Sequence, residues 1–267
     1  MTMDSPELNL NKLERCLRET AVRAGSVVME YWTSGNPETE WKPDGTPVTT
    51  ADLRADRLIR NLLSGAFPSI PVISEEETAN HHNRHSSFFV VDPIDGTSGF
   101  RKGSLEFTVN IALVRKGRPV AGVVFAPAMK RMFLTSNGYR LVEVDNDRTR
   151  VLTGRRSAAA ALRVTVSRSS VSSSRLNDYL AELNVVNIAT MSSSFKFCLL
   201  AIGEADIYPR FGRTMEWDTA AGQAILQAAG GTVWQIDGRT PLTYGKENYE
   251  NPSFVAVAAG VRAPGAH

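Results

Sequence analysis

Asp92-Pro93-Ile94-Asp95-Gly96-Thr97 follows a run of apolar residues that predicts a strand buried on both faces. Pro93 fixes its backbone φ and donates no amide hydrogen bond, so a tight turn brings Asp95 back towards Asp92. Two carboxylates this close repel each other unless a cation lies between them. Carboxylate oxygens and the carbonyl of Ile94 are hard ligands of the kind that Mg²⁺ prefers. An isolated D-x-x-D run more often marks an ordinary acidic turn, so the magnesium hypothesis needs support from elsewhere in the chain.

The end of the same stretch is suited to a phosphate. Gly96 has no side chain, so the backbone can approach a ligand closely, and the amides after it can face an anion. Thr97 adds a hydroxyl group that can orient a water molecule. These two positions therefore predict contact with a phosphate beside the cation.

Three other segments place acids at the ends of predicted elements. Glu75, in the run Ser74–Glu77, follows a short strand, while Asp52 and Asp218 each begin a predicted helix. Each has an ordinary explanation: a solvated loop for the glutamates and an N-cap for the aspartates. Their occurrence together, in this order and with these neighbours, favours one composite site.

Helices and strands are predicted to alternate along the chain. A first helix begins at Ser5-Pro6-Glu7 and extends to Trp32, because apolar residues recur at helical spacing. Strands between residues 107 and 135 form an antiparallel run with a turn at Lys116-Gly117. Such interleaving predicts a layered α/β or α+β fold.

One segment divides the chain into two halves. Residues 145–161 are charged and then rich in alanine and serine, which predicts a surface connection. It joins an N-terminal half of about 1–145, which carries most of the candidate metal ligands, to a C-terminal half of about 160–267, which carries Asp218. We interpret the two halves as parts of one domain.

The composition excludes several classes of protein. The chain has 267 residues, 42% of them apolar, which is ample for a large core. Its 30 basic and 28 acidic residues give a net charge of +2, which argues against a nucleic-acid binder. No window is apolar enough for a membrane span, and the residues from Met1 to Asn11 lack a signal-peptide core. The two cysteines, Cys16 and Cys198, exclude a disulfide framework, and we expect a cytoplasmic protein.

Taken together, these segments resemble the lithium-sensitive, metal-dependent phosphomonoesterases of the inositol monophosphatase superfamily. There a glutamate pair, a D-P-[IL]-D-G-T run and a W-D-x-A-x-G run build a magnesium site, and this chain carries Glu75-Glu76, residues 92–97 and residues 217–222. Two more runs, Ser193 to Cys198 and Tyr208 to Gly212, resemble the bacterial 3′(2′),5′-bisphosphate nucleotidase branch. The resemblance covers nearly the whole chain and implies a single phosphatase domain folded as a five-layer αβαβα sandwich.

The resemblance also implies roles for individual residues. It assigns two or three Mg²⁺ ions to four carboxylates and one carbonyl, those of Glu75, Asp92, Asp95, Asp218 and Ile94. It assigns the substrate to a partly overlapping set, namely Asp95, Gly96, Thr97, Ser193, Lys196, Arg210 and Asp218. Thr97 is implied to position the attacking water, and its partner is either Glu75 or Asp52, a choice that the residues leave open.

The implied reaction is hydrolysis of adenosine 3′,5′-bisphosphate to AMP and phosphate by a metal-activated water, without a covalent phosphoenzyme. Inositol phosphate and histidinol phosphate are alternative substrates within the superfamily. A non-catalytic metal- or nucleotide-binding protein is the alternative from another class, and the intact metal motifs argue against it. No nucleic-acid partner is expected. The branch allows a homodimer and weak peripheral association with the cytoplasmic face of the inner membrane.

Two segments differ from the branch. Ser98-Gly99 stands where the branch usually has a Lys-Glu pair, which removes two charges beside the phosphate and leaves the preferred substrate open. The loop from Ala79 to Ser87 contains His81, His82 and His85 and matches no family role. We interpret it as a solvated loop.

Overall fold

Two packed helices form the first layer. The computed structural model describes residues 8–35, 38–42, 45, 47–77, 81, 84–137, 140–145, 148–152, 161–263 and 265. Helix α1 spans Leu10–Ser34 and helix α2 spans Thr50–Ala66, and each buries an apolar stripe against the other and against the sheet below. Among the described residues, no helix is long and apolar enough to cross a membrane.

The structure confirms the predicted start of α2 but not that of α1. Helix α1 begins later than predicted, because the Asn9 side chain accepts a hydrogen bond from the Lys12 amide at 2.9 Å and caps the helix there. The predicted start at Ser5-Pro6-Glu7 lies outside the described residues. The predicted start of α2 is confirmed: Thr49 and Asp52 form a reciprocal capping box.

The first nine strands span Thr39–Trp41 (β1), Pro47–Thr49 (β2), Val72–Ser74 (β3), Ser87–Asp95 (β4), Thr108–Arg115 (β5), Arg118–Ala126 (β6), Arg131–Ser136 (β7), Arg140–Asp145 (β8) and Arg148–Leu152 (β9). Seven of them form the first sheet, in the spatial order β3-β4-β5-β6-β7-β8-β9. Strand β3 is parallel to β4, and all later neighbours are antiparallel. The predicted turn at Lys116-Gly117 is confirmed, since both residues have positive φ, 48° and 74°, as a two-residue type I′ hairpin turn requires. Strands β1 and β2 form a small hairpin that precedes α2.

The predicted surface connection over residues 145–161 is wrong for its first part. Strand β9 pairs antiparallel with β8, from Arg148 opposite Asp145 to Leu152 opposite Leu141. Its residues from Arg148 to Val151, two of them arginines, are exposed because β9 is the last strand of the sheet, and one side of it pairs with no other described strand. Residues 153–160 lie outside the described part of the chain.

The last five strands span Leu162–Val166 (β10), Val185–Thr190 (β11), Ile207–Arg210 (β12), Thr232–Gln235 (β13) and Phe254–Val257 (β14). They form the second sheet, in the spatial order β11-β10-β12-β14-β13. The first three are mutually parallel, and β14 is antiparallel to both of its neighbours. The remaining α-helices span Thr97–Phe100 (α3), Ser174–Ala181 (α4), Phe195–Ala201 (α5) and Ala220–Ala228 (α6).

Three buried clusters connect the layers. The first lies between α1, α2 and one face of the seven-stranded sheet. The second joins the opposite face of that sheet, through α5 and α6, to the five-stranded sheet. The third lies between the far face of the five-stranded sheet and α4. The layer order is therefore helix, sheet, helix, sheet, helix, and the predicted αβαβα sandwich is confirmed.

Candidate functional site

Three acids from distant parts of the sequence meet at one point. Glu75 directly follows β3, Asp92 lies within β4, and Asp218 ends a short 3₁₀ turn just before α6. Their carboxylate oxygens lie within 4.8 Å of one another. The parallel pairing of β3 with β4 places the first two side by side, and contacts between the 3₁₀ turn and β4 bring the third to them.

The charges of these acids repel one another in a buried setting. Burial, and then the negative charge of Glu75, raise the pKa of Asp92 well above its ordinary value. Burial, and then the charge of Asp95, do the same to the pKa of Asp218. Burial and the charge of Glu75 raise the pKa of the neighbouring Glu76 to about 8. Oxygen ligands that repel one another, with Asp92 buried and Glu75 and Asp218 partly buried, fit a divalent hard cation such as Mg²⁺.

A lysine already binds to the edge of this acidic set. Lys42 Nζ lies 2.8 Å from Glu75 Oε1 and 2.8 Å from Glu76 Oε2. Burial alone lowers the pKa of Lys42, but the charge of Glu75 and hydrogen bonds to Glu75 and Glu76 outweigh it, so the pKa lies above its ordinary value. The ammonium group shows that these carboxylates accept a cation. The sequence offered no sign of this contact, because Lys42 is 33 residues away from Glu75.

Asp95 connects the two halves of the site. Its Oδ2 accepts hydrogen bonds from the Ser194 amide at 2.6 Å and from the Asn110 side chain at 3.2 Å. The Ser194 hydroxyl lies 2.9 Å from the same oxygen and 2.6 Å from the carbonyl oxygen of Asp218. Asn110 was missed from the sequence, although a polar residue in the middle of a buried strand is a usable signal.

Thr97 contacts one of the two partners considered for it, Asp52. Its hydroxyl lies 3.4 Å from Asp52 Oδ1 and 3.0 Å from the carbonyl oxygen of Ile94, while Glu75 is held by Lys42 instead. Burial raises the pKa of Asp52 to about 6, against two hydrogen bonds from Thr49 that lower it. Asp52 therefore titrates close to neutral pH and remains mostly ionised above it.

A cleft of about 620 Å³ opens beside the acids. Six predicted substrate residues line it, namely Asp95, Gly96, Ser193, Lys196, Arg210 and Asp218. Thr97 is not among the residues that line it, although it directly follows Gly96 and its hydroxyl contacts Asp52. Gly96 adopts a φ of +97°, and a Cβ there would lie 3.2 Å from the carbonyl oxygen of Glu106, so a side chain would be strained and crowded.

The two predicted basic residues, Lys196 and Arg210, line the cleft and are held by neighbouring protein groups. The Lys196 ammonium lies 2.5 Å from the carbonyl oxygen of Ser193 and 5.0 Å from the centre of the Tyr208 ring. Burial lowers the pKa of Lys196 to about 8, although the nearby charge of Asp95 opposes this shift. Arg210 donates to Ser170 Oγ at 2.9 Å, but its buried Nε has no hydrogen-bond partner among the described residues. An unsatisfied buried donor at a cleft is a group that a ligand can satisfy.

Sequence reasoning missed two more basic residues in the cleft, Lys102 and Arg168. Arg168 forms an ion pair with Glu106, which also accepts a hydrogen bond from the Ser192 amide at 3.0 Å. Burial raises the pKa of Glu106, but the hydrogen bonds from Arg168 and Ser192 lower it by more, so the carboxylate stays charged. The ion pair joins the loop before β5 to the segment after β10.

The interpretation of residues 79–87 as a solvated loop is wrong for His81. His81 Nε2 lies 2.7 Å from the carbonyl oxygen of Ser74, and its ring centre lies 5.2 Å from that of Trp217. These two neighbours immediately precede two of the three clustered acids in the sequence. His81 therefore packs behind the acidic set, while His82 lies outside the described residues.

Known proteins similar to this chain share one family. A sequence model of the inositol monophosphatase family matches residues 9–263. The 3′(2′),5′-bisphosphate nucleotidase CysQ of Salmonella typhimurium is 41% identical over 242 residues, which cover 88% of this chain and 96% of that protein. The crystal structure of CysQ from Bacteroides thetaiotaomicron has a TM-score of 0.81 at 31% identity and covers 96% of this chain and 100% of its own. An inositol monophosphatase from Anabaena, with a TM-score of 0.74 at 22% identity over 96% of this chain and 94% of its own, shares the fold. The chain belongs to the inositol monophosphatase family.

Proposed function

We propose that this protein is a Mg²⁺-dependent phosphomonoesterase that hydrolyses adenosine 3′,5′-bisphosphate to AMP and phosphate. The observation that carries the proposal is one cleft lined both by acids of the candidate metal site and by four basic side chains, those of Lys102, Arg168, Lys196 and Arg210. A substrate with two phosphates needs both: a metal site for the ester that breaks and cationic groups for the other phosphate. The activity named for the CysQ relatives supports the same substrate class.

The metal ligands that we propose are Glu75, Asp92, Asp95, Asp218 and the carbonyl oxygen of Ile94, which together would hold two or three Mg²⁺ ions. The crowded, buried carboxylates support this assignment, because their repulsion is relieved only by protons or by cations. Bound Mg²⁺ supplies a Lewis acid that offsets charge on the phosphoryl oxygens and lowers the pKa of water.

The chain's own residues would handle the proton of the attacking water. We assign Thr97 and Asp52 to this step, because the Thr97 hydroxyl already faces Asp52 Oδ1. Thr97 Oγ1 accepts a proton from the water while its own hydroxyl proton passes to Asp52 Oδ1. A pKa of about 6 leaves Asp52 ionised at neutral pH and ready to accept it.

The remaining residues would bind and orient the substrate. The amides of Gly96 and Thr97 would face the scissile phosphate, since they begin helix α3 and Gly96 lines the cleft. Ser193, Lys196 and Arg210 would hold the nucleotide, and the orphaned Nε of Arg210 supplies a donor for it. Ser98 and Gly99 also line the cleft, so uncharged residues stand there in place of the charged pair usual in the branch. The homodimer, the cytoplasmic location and the weak peripheral membrane association stay predictions.

A substrate panel tests the proposal. Phosphate release should be fastest, by kcat/KM, from adenosine 3′,5′-bisphosphate, slower from inositol 1-phosphate and histidinol phosphate, and absent for all three in EDTA. Faster turnover of inositol 1-phosphate would assign the protein to that activity instead. Tight nucleotide binding without release from any substrate would support the non-catalytic alternative.

The pH dependence of substrate binding tests the role of Lys196. Because burial lowers the pKa of Lys196 to about 8, its ammonium is charged below that pH and neutral above it. We expect KM for adenosine 3′,5′-bisphosphate to rise as the pH passes through about 8, where the substrate phosphates no longer titrate, since their second pKa is about 6. Lys196→Met should have a high KM at every pH. The same rise in KM in this variant would show that another group titrates.

A further inference from the structure

A second cavity lies at the closed end of the β5–β6 hairpin, away from the cleft. Its volume is about 610 Å³, within the range of roughly 300–1,000 Å³ that small-molecule sites occupy. Among the described residues, it shares no lining residue with the cleft. Its walls come from the start of α1, the β5–β6 hairpin and the last turns of α6.

Two arginines face this cavity in an unfavourable arrangement. Arg115 and Arg118 flank the Lys116-Gly117 turn and are direct cross-strand partners. Directly opposed residues of an antiparallel pair project from the same face, so like charges there destabilise the hairpin. In the part of the chain that the structure describes, neither guanidinium has an acidic group within ion-pair distance.

The backbone beside these arginines is irregular as well. The register passes from Leu113 opposite Ala121 to Val114 opposite Pro119, so Val120 is an extra residue that forms a β-bulge. Pro119 and Val120 both line the cavity. Bulges recur beside binding sites because they redirect side chains, and local conflicts of this kind concentrate at functional positions.

The rest of the lining is apolar except for Gln227. It consists of leucine, valine, proline and alanine side chains with one amide, those of Leu8, Leu10, Leu13, Pro119, Val120, Ala224, Ala228 and Gln227. Two paired guanidinium groups in the wall of a mostly apolar cavity are complementary to an anionic head with a hydrocarbon body. We propose that this cavity binds a small amphipathic anion, with its carboxylate or phosphate between Arg115 and Arg118 and its apolar body against Leu13 and Val120.

Octanoate is a suitable probe, because it carries the proposed head and body and is not a phosphate ester. Calorimetric titration of octanoate into the full chain, with Mg²⁺ present, should detect binding. Acetate, which lacks the hydrocarbon body, and octanol, which lacks the charge, should bind more weakly. Arg115→Gln with Arg118→Gln should weaken octanoate binding by about tenfold or more, because hydrogen bonds to charged groups are lost. Arg57→Gln, an exposed arginine of α2, is the matched control and should bind as the unmodified protein does.

A single variant separates binding from stability. Arg118→Glu turns the like-charge pair into an opposite-charge pair, so the Tm without octanoate should rise by a few degrees while octanoate binding is lost. Phosphate release should be unchanged, since neither arginine lies at the cleft. Octanoate binding that survives both sets of variants would overturn the proposal. Binding to anionic vesicles through these arginines, with none to octanoate, would overturn it in favour of a membrane contact.

Discussion

Asp95→Asn is expected to abolish phosphate release while the protein remains folded. In the structure, Asp95 Oδ2 accepts hydrogen bonds from Ser194 and Asn110, and the negative charge of the carboxylate acts on Asp92 and Asp218. An asparagine has one oxygen for these donors, so its NH₂ group would take the place of the other carboxylate oxygen. Losing a charged metal ligand is worth several kcal/mol, which corresponds to a fall in kcat on the order of 10³-fold.

The fold should survive this change, because asparagine can keep the bond to the Ser194 amide and because one source of repulsion is removed. We expect the free energy of unfolding of Asp95→Asn in EDTA to equal or exceed that of the unmodified protein. Asp178→Asn, which makes the same change at an exposed position of α4, should leave activity unchanged. Normal phosphate release by Asp95→Asn would contradict the metal-site assignment. Lost activity with a lower stability in EDTA would instead assign Asp95 a structural role.

The parts of the site that could be predicted are encoded in short stretches of sequence. Asp92 and Asp95 belong to a six-residue run, Asp92–Thr97, that directly follows apolar residues. Asp218 precedes a run of small residues. Such local patterns show which residues end strands and begin helices, and the ends of packed elements are where these side chains meet. The same reasoning predicted the helix at Thr49 and the hairpin turn at Lys116, since capping and positive φ depend on neighbouring residues.

The contacts that could not be predicted join residues far apart in the sequence. Arg168 and Glu106 are 62 residues apart, and Lys42 and Glu75 are 33 apart. The Arg168 side chain is 58% exposed and that of Lys42 is 20% exposed, and the sequence around a basic residue is the same whether it has a partner or not. Strand β9 was missed for a related reason, because an edge strand with exposed charges lacks the alternation that predicts a strand.

Removing Mg²⁺ should make the stability of the protein depend on pH. Burial raises the pKa of Asp52 to about 6 and of Glu76 to about 8, and it raises the pKa of Asp92 and Asp218 well above the ordinary value. Between about pH 5 and pH 8, the folded protein therefore holds protons that the unfolded chain has already lost. In EDTA, the free energy of unfolding should fall as the pH rises through this range, by about 1.4 kcal/mol per pH unit for each such proton.

Mg²⁺ should reverse this trend, because the ion replaces the protons that the acids would otherwise hold. Its stabilisation should be small near pH 5 and largest near pH 8, since protons compete for the same oxygens and a ligand that binds only the folded state stabilises it by mass action. Urea unfolding at several pH values, with EDTA or with saturating Mg²⁺, measures both slopes. Asp92→Asn should flatten the slope in EDTA and reduce the effect of Mg²⁺. A stabilisation by Mg²⁺ that is equal at pH 5 and pH 8 would mean that the ion binds away from Glu75, Asp92 and Asp218, because ligands that must lose protons cannot bind a cation equally well at both values.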